Sequence, residues 1–492
     1  MPQPQQKRYS RAQRIGLLAG AVVFAVVLLL PPPSGLSIEG WRTAAVALLL
    51  ATWWMTEALP IEATALLPLV LFPMLGVLDS QSVAAPYADR NIFLFMGGFF
   101  IAVTMQKWGL HKRIALNVIA FVGTSPNRLV LGFMLATAFL SMWISNTATV
   151  AMMLPIGLAV SEMLKPLDHE GRYEFGIALM LGLAYGASIG GVSTLIGTPP
   201  NTVLASQANE LLGIQIGFVQ WMGVGLPFTI IMLPLTWFLL THVLYPPGNL
   251  AGNANALIEQ ERSALGRISR GEKITALVFG LTALAWVLRQ EKTFGDLTIP
   301  GIQTWLPFVH DSTIAMTAAV ALFVLPVNWR KGEFALDWQT ARKIPWGILV
   351  LFGGGLSLAR AMDGSGLAAW IGNGVASLQT VPMLVVIAAV VTMIVFLTEL
   401  TSNIATTNMA MPVMAGAAVG LDMPPLLLMA TAALAASMAF MLPVATPPNA
   451  IVFGSGYLTV PQMSRAGLVL NLIAIVAITA IGTMLVPFFL IR

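Results

Sequence analysis

Two polar motifs interrupt apolar sequence and carry residue types that bind small ions. "SNTATVAMMLP" runs from Ser145 to Pro155, and "SNIATTNMAMP" runs from Ser402 to Pro412, 257 positions later. The oxygens of Ser, Thr and Asn suit a hard cation such as sodium. Neither motif contains Lys or Arg, so an anion held there would be neutralised by helix dipoles, amides and co-bound cations. This charge balance predicts cation-coupled uptake or the exchange of one anion for another.

A second pair of motifs, "GTPPN" (Gly197–Asn201) and "ATPPN" (Ala445–Asn449), follows at an offset of 248. A proline pair in apolar sequence predicts a broken helix, which leaves carbonyls at the end of one half-helix and N–H groups at the start of the next. The N–H groups suit oxyanions and the carbonyls suit a cation. One such helix break can therefore bind both an anion and a cation.

Each motif taken singly also has a purely structural interpretation, because Ser and Asn often join membrane helices and a proline pair often only kinks one. Four such breaks in matched order favour a transport site. An intramembrane enzyme is a weaker hypothesis, since no His lies near Ser145 or Ser402 in the sequence, and a channel is a third. We therefore predict that the protein is not an enzyme. Among the carboxylates, Glu399, three residues before Ser402, is the one expected to matter functionally.

The composition places the chain in a membrane. Of its 492 residues, 57% are hydrophobic and 9% are charged, which is too little polar surface for a soluble globule of this size. Long apolar runs recur throughout and predict an all-α polytopic membrane protein. The chain has no cysteine, which excludes disulfides, thiolate metal sites and cysteine nucleophiles. Its four histidines are dispersed, so neither a metal cluster nor a cofactor is predicted.

Eleven spans are predicted, the first of them retained and not cleaved as a signal peptide. The predicted spans are 14–31, 41–57, 61–78, 92–106, 173–208, 221–245, 273–288, 311–327, 345–362, 424–458 and 466–490. Two further apolar stretches, 127–164 and 382–421, surround the Ser-Asn motifs and are predicted hairpins that enter and leave on one side. Most of the 25 Lys and Arg residues then face the cytoplasm. This distribution predicts a cytoplasmic N-terminus and an outer C-terminus.

The order of the motifs indicates an internal repeat. "FMGGFFIAVTMQKWGL" (95–110) aligns without gaps to "FGGGLSLARAMDGSGL" (352–367), again at an offset of 257. The predicted topology inverts the second half relative to the first, which is typical of secondary transporters. The predicted parts are a scaffold (1–123 and 273–375), two transport-domain halves (124–245 and 376–492) and a cytoplasmic linker (246–272). One short amphipathic helix is considered for the linker.

The doubled Ser-Asn and Thr-Pro-Pro-Asn motifs resemble those of the divalent anion:sodium symporters, the family of dicarboxylate and citrate carriers. The resemblance covers nearly the whole chain. It implies eleven spans with two re-entrant hairpins, a homodimer in the plasma membrane, and an elevator-type motion of a mobile domain past a fixed scaffold. The implied partners are a small carboxylate, sodium and lipid, with no nucleic acid.

The resemblance also implies ligands. One sodium site would use Ser141, Ser145, Asn146 and the backbone at Gly197, and the other would use Thr398, Thr401, Asn403 and the backbone at Ala445. Substrate carboxylates would be bound by residues of all four motifs: Ser145, Asn146, Thr147, Thr198, Pro199, Ser402, Asn403, Thr446 and Pro447.

The implied activity is sodium-coupled import of di- or tricarboxylates, with a C4-dicarboxylate such as succinate as the first choice. Sodium-independent exchange, and citrate or sulfate transport on the same scaffold, are the alternatives. Ile404 stands where the motif usually has Thr, and this substitution removes a hydroxyl from the second half. We expect the difference between Thr147 and Ile404 to decide substrate selectivity.

Overall fold

The computed structural model describes residues 9–165, 173–248, 254–294 and 297–491. Within these ranges the regular structure is helical apart from two short antiparallel hairpins: Lys292–Phe294 with Leu297–Ile299, and Pro326–Asn328 with Glu333–Phe334. The two ends of the predicted topology, at 1–8 and 492, and positions 249–253 of the predicted linker lie outside the described residues.

The N-terminal segments begin and end at recognisable signals. Ser10 caps the first helix in a capping box with Gln13, and the prolines at 31–33 follow its end. The helices are Arg11–Leu29, Ile38–Thr56, Ile61–Thr64, Leu67–Met74, Ser80–Ala84, Arg90–Trp108 and Leu110–Val122, with a 3-10 turn at Ala85–Ala88. The predicted span 61–78 is thus two short helices.

Both Ser-Asn motifs begin at a junction between two helices, and the proline pair of each Thr-Pro-Pro-Asn motif starts a helix after a non-helical segment. The helices of the first half are Pro126–Ser141, Asn146–Leu164, Glu174–Gly191, Pro199–Leu212 and Phe218–Phe238, the last continued by a π-helix at Leu239–Leu244. Those of the second half are Met383–Thr398, Asn403–Gly420, Pro425–Ala436, Pro447–Phe453 and Val460–Phe489. We call residues 192–198 the first break and residues 437–446 the second break.

A third group of helices separates the two halves. They are Ala254–Ala264, Arg270–Leu288, Ile302–Trp305, Asp311–Val324, Trp338–Ala341, Trp346–Gly364 and Leu367–Val375, with 3-10 turns at Trp329–Lys331 and Ala376–Leu378. Ala254–Ala264 is the short helix considered for the linker.

Seven helical segments of the described chain are long and apolar enough to cross a membrane: Arg11–Leu29, Ser80–Trp108, Asn146–Leu164, Glu174–Gly191, Phe218–Leu244, Arg270–Leu288 and Val460–Phe489. Shorter apolar helices accompany them: Ile61–Met74, Asp311–Val324, Leu367–Leu378, Met383–Thr398 and Pro425–Ala436. The chain is therefore a multi-pass α-helical membrane protein.

Two short helices were not predicted from the sequence, and they occupy equivalent places in the repeat. Leu110–Val122 begins directly after Gly109, whose φ is +75°, and Leu367–Val375 begins after Gly366, whose φ is +78°. Glycine reaches this left-handed region at little cost, so each longer helix ends there and the chain turns into the short one.

The helices that follow the motifs pack crosswise between the halves. Pro199–Leu212, after the first break, packs against Asn403–Gly420, after the second Ser-Asn motif. Pro447–Phe453, after the second break, packs against Asn146–Leu164, after the first Ser-Asn motif. The motifs of each half are therefore positioned by helices of the other.

Candidate ion and substrate site

The first Ser-Asn motif lies where one helix ends and the next begins. Pro126–Ser141 ends at Ser141, and Ser145 caps Asn146–Leu164, accepting a hydrogen bond from the N–H of Ala148 over 3.4 Å. Carbonyls of the first helix and N–H groups of the second both lack intrahelical partners at such a junction. The junction therefore offers oxygen ligands and hydrogen-bond donors side by side.

Oxygen atoms from three segments converge on Asn146. The Ser141 hydroxyl donates to Asn146 Oδ1 over 2.6 Å, and the same Asn146 atom lies 3.3 Å from the carbonyl oxygens of Gly197 and Ala187. Rotating the amide turns these contacts into hydrogen bonds from its nitrogen. In the unrotated form, a cation between the oxygens would offset the repulsion among them.

Two glycines allow the chain at the first break to lie close to the first Ser-Asn motif. A Cβ atom on Gly191 would lie 2.4 Å from Asn146 Oδ1, and one on Gly197 would lie 2.9 Å from the carbonyl of Ser141. Any larger residue at either position would push the first break away from the Ser-Asn motif.

The second half repeats the contact. The Thr398 hydroxyl donates to Asn403 Oδ1 over 2.7 Å and lies 2.9 Å from the carbonyl of Ala436. Thr398 and Asn403 are the repeat equivalents of Ser141 and Asn146, five residues apart in each case. Thr401 instead contacts Thr406, with 2.5 Å between the hydroxyls. Ser402 caps Asn403–Gly420 without a side-chain hydrogen bond.

Both proline pairs start helices. Thr198 and Thr446 are the extended N-cap residues, and the prolines after them occupy the first helical positions, where a missing N–H costs nothing. Thr446 also accepts a hydrogen bond from the N–H of Asn449 over 3.3 Å. The predicted helix breaks are thus present at both sites.

The asparagine of each Thr-Pro-Pro-Asn motif has a role that sequence reasoning missed. Asn201 donates its amide hydrogens to the carbonyls of Gly191 (3.3 Å), Val192 (3.2 Å) and Thr194 (2.7 Å). Asn449 donates to the carbonyls of Ala439 (3.1 Å) and Leu442 (3.0 Å), which lie exactly 248 positions after Gly191 and Thr194. Both side chains are fully buried. The repeated Asn was the available signal for this shared role.

The candidate residues differ in accessibility. Thr147 and Pro447 are exposed, and Ser145, Asn146, Ser402, Asn403 and Pro199 are half-buried. The buried candidates are Ser141, Gly197, Thr198, Thr398, Thr401, Ala445 and Thr446. Ile404 is half-buried among apolar side chains, including the cluster around Trp54 and Ala405, whereas its equivalent Thr147 faces open space.

Equivalent residues at the two junctions have unequal surroundings. Trp143 packs on Phe279, with ring centroids 4.9 Å apart, and stacks near Phe218 and Trp286, whereas its equivalent Leu400 is 72% exposed. In the breaks, Ile196 is 6% exposed and its equivalent Val444 is 85% exposed. One side of the site is thus covered and the other is open.

The comparison with protein families is decisive for the class of protein. The model of the family described as the sodium:sulfate symporter transmembrane region matches residues 11–490. The chain belongs to this family. The sodium:sulfate symporter family is thereby identified over nearly the whole chain, as the paired motifs predicted.

Among curated relatives in the symporter family, the sodium-dependent dicarboxylate transporter SdcS of Staphylococcus saprophyticus is 42% identical over 491 residues, covering 98% of this chain and 93% of the relative. SdcS of Staphylococcus aureus strain RF122 is 41% identical over 497 residues, with the same coverage.

Solved structures share the fold of this family member at low identity. The YdaH transporter of Alcanivorax borkumensis aligns with a TM-score of 0.55 and 14% identity, covering 96% of each chain. MtrF of Neisseria gonorrhoeae aligns with a TM-score of 0.55 and 12% identity, covering 96% of this chain and 92% of MtrF.

Proposed function

We propose that the protein imports C4-dicarboxylates such as succinate, coupled to sodium. The observation that carries the proposal is the repeated oxygen contact, Ser141 to Asn146 in one half and Thr398 to Asn403 in the other, each beside a helix break. The names of the relatives, sodium-dependent dicarboxylate transporters at 41–42% identity, supply the substrate and the coupling ion.

Sodium is assigned to the two junctions. Ser141, Ser145, Asn146 and the backbone of Gly197 form the first site, and the oxygen atoms that converge on Asn146 support it. The second site consists of Thr398, Thr401, Asn403 and the backbone of Ala445. Such neutral oxygen sets suit a hard monovalent cation that must later be released.

The substrate is assigned to the polar groups around the junctions. Its carboxylates bind to hydroxyls, amides and N–H groups of Ser145, Asn146, Thr147, Thr198, Ser402, Asn403 and Thr446. Pro199 and Pro447, which have no N–H group, contact the substrate through their rings. These motifs contain no Lys or Arg, so two sodium ions balance the charge of a dicarboxylate as it crosses the low-dielectric interior. This charge balance is the physical reason for coupling.

The architecture follows from the same proposal. Eleven spans and two re-entrant hairpins form a homodimer in the plasma membrane, with the N-terminus in the cytoplasm and the C-terminus outside. Residues 1–123 and 273–375 are the scaffold, and 124–245 and 376–492 carry the substrate in an elevator motion. The seven long apolar helices and their five shorter companions support this arrangement.

The unequal surroundings of the two junctions indicate to which side of the membrane the site is open in this conformation. In the proposed orientation the first hairpin rises from the cytoplasm, so Trp143 at its tip points outward and is covered, whereas Leu400 points inward and is exposed. We infer that this conformation is closed to the outside and open to the cytoplasm.

The test is uptake of labelled succinate by proteoliposomes containing the purified protein. We expect uptake with an inward sodium gradient and a collapse to the level of empty liposomes when choline replaces sodium. Unlabelled succinate, citrate, tartrate and sulfate are added as competitors, and succinate should compete best. Undiminished uptake without sodium, driven by internal dicarboxylate, would instead identify an exchanger.

A further inference from the structure

The carboxylate of Glu399 is buried at the second break and is held by backbone amides. Glu399 directly follows Thr398 and is 3% exposed. It accepts hydrogen bonds from three consecutive N–H groups, those of Phe440 (2.7 Å), Met441 (2.9 Å) and Leu442 (3.2 Å). Successive N–H groups of this kind form a cradle for an anion.

A fourth donor comes from the last helix. Asn471 is fully buried and donates to Glu399 Oε1 over 2.7 Å. Within the described residues no Lys, Arg or His forms a salt bridge with Glu399. The negative charge is therefore stabilised by dipoles alone, and it remains available to a nearby cation.

The first half makes the equivalent connection without a charge. Met142 stands 257 positions before Glu399, and its backbone carbonyl accepts a hydrogen bond from the Thr194 hydroxyl over 2.5 Å. Ser193 donates to the hydroxyl of Thr229 over 2.8 Å. Hydroxyl groups thus join the first break to its neighbours.

Thr229 and Asn471 occupy equivalent places. A Cβ atom on Gly225 would lie 2.2 Å from the carbonyl of Val192, and one on Gly467 would lie 2.3 Å from the carbonyl of Phe440, 248 positions after Val192. Thr229 and Asn471 each follow these glycines by four residues. The two halves thus share one packing scheme, in which only the second contains a carboxylate and its amide partner.

We propose that Glu399 is a positioning residue that makes the second half the tighter of the two sodium sites. Its carboxylate fixes the second break against Thr398 and supplies a negative charge beside Thr398 and Asn403. We assign Glu399 no direct contact with sodium, because its carboxylate is directed at the N–H groups of the second break and at Asn471, and it acts on the ion through its charge. The inference rests on the proposed function, since it concerns the coupling ion of that transport.

The test measures sodium dependence and substrate affinity separately. In Glu399→Gln the sodium concentration for half-maximal uptake should rise at least about tenfold, because a charge in a low-dielectric site acts strongly on a nearby ion. The KM for succinate at saturating sodium should change less than about threefold, as the substrate does not contact Glu399. If the role of Glu399 were purely structural, Glu399→Gln would lower the maximal uptake rate, and the half-maximal sodium concentration would not rise more than the KM for succinate.

A matched control removes another buried carboxylate. Glu272 is 5% exposed and is paired with Arg113 at 2.7 Å, away from the four motifs. Glu272→Gln should lower thermal stability and leave the half-maximal sodium concentration unchanged. Equal rises in both variants, or no rise in Glu399→Gln, would overturn the inference.

A second variant and a second readout cover the case in which Glu399→Gln does not fold. Asn471→Thr keeps the charge, introduces the residue of the first half, and should raise the half-maximal sodium concentration about threefold through loss of one donor. Sodium that binds to the folded form should also raise the Tm of the detergent-purified protein. The curve of Tm against sodium concentration should shift to higher sodium in the variants, in parallel with the uptake curve. An unshifted Asn471→Thr would refute the inference. Sodium-independent uptake by the wild type would overturn the proposed function as well.

Discussion

The Ser141 hydroxyl donates to the side-chain oxygen of Asn146 over 2.6 Å, and this contact joins the end of one helix to the first residue of the next. Thr398 and Asn403 form the same contact in the second half. Each asparagine thus occupies the junction at which the oxygen ligands and the free N–H groups meet.

Replacing either asparagine should abolish transport. Asn146→Ala and Asn403→Ala remove oxygens proposed to bind both sodium and substrate, so sodium-driven succinate uptake should fall to the level of empty liposomes while the protein stays folded. Asn117→Ala is the matched control, because Asn117 lies on the short helix after Gly109 and contacts Arg262. Wild-type uptake rates in either site variant would contradict the assignment.

Loss of the carbonyl-capping asparagines should destabilise the fold. Asn201→Ala leaves the carbonyl of Gly191 without a donor, whereas Val192 keeps Trp221 and Thr194 keeps the N–H of Gly197. Asn449→Ala leaves the carbonyl of Ala439 without a donor, whereas Leu442 keeps the N–H of Ala445. An unpaired buried carbonyl costs about 1–3 kcal/mol, so both variants should lower the Tm in detergent. An unchanged Tm in both variants would argue against this role.

Single cysteines should report the open side of the site. The chain has no cysteine, so Leu400→Cys and Val444→Cys introduce unique, exposed thiols. A membrane-impermeant maleimide should modify them rapidly from the cytoplasmic side, whereas Trp143→Cys and Ile196→Cys should react slowly from either side. Faster labelling of Leu400→Cys from outside would reverse the proposed orientation.

His310 should make stability depend on pH. Burial lowers the pKa of His310 below its ordinary value, and the charges of Arg90 and Arg289 lower it further. The folded state then binds fewer protons than the unfolded state, so the stabilising contribution of neutral His310 is present above about pH 6.5 and is lost as the pH falls through the lowered pKa.

The comparison with His310→Asn isolates this effect. Between pH 7 and pH 5 the Tm of the wild type should fall more than the Tm of the variant, which cannot titrate at this position. Parallel Tm curves for the two proteins would show that His310 does not contribute.

The sequence was sufficient for the helical class, the family and the equivalence of the motifs. The contacts of Ser141 with Asn146 and of Thr398 with Asn403 are local, since each joins the end of one helix to the start of the next. The short helices after Gly109 and Gly366 were missed because they are too brief to register as spans, although the paired glycines marked both.

The contacts made by the two helix breaks could not be predicted from the sequence and were found only in the structure. Asn201 reaches carbonyls up to ten residues earlier, and Glu399 reaches amides more than 40 residues later, because the irregular backbone folds back on itself. The periodic patterns that predict helices and strands do not predict the course of such an irregular backbone. The covered Trp143 and the exposed Leu400 likewise could not be predicted from the sequence, since their burial depends on the packing of distant segments.

The crosswise packing has a consequence for how the two copies can diverge. Pro199–Leu212 packs on Asn403–Gly420, and Pro447–Phe453 packs on Asn146–Leu164. A single copy that is expressed, exchanged or duplicated on its own would therefore lack the helices of the other copy that pack against its motifs. The two copies must therefore evolve together, and they can differ only where the neighbouring copy tolerates it, as at Met142 and its equivalent Glu399, which contact the two breaks.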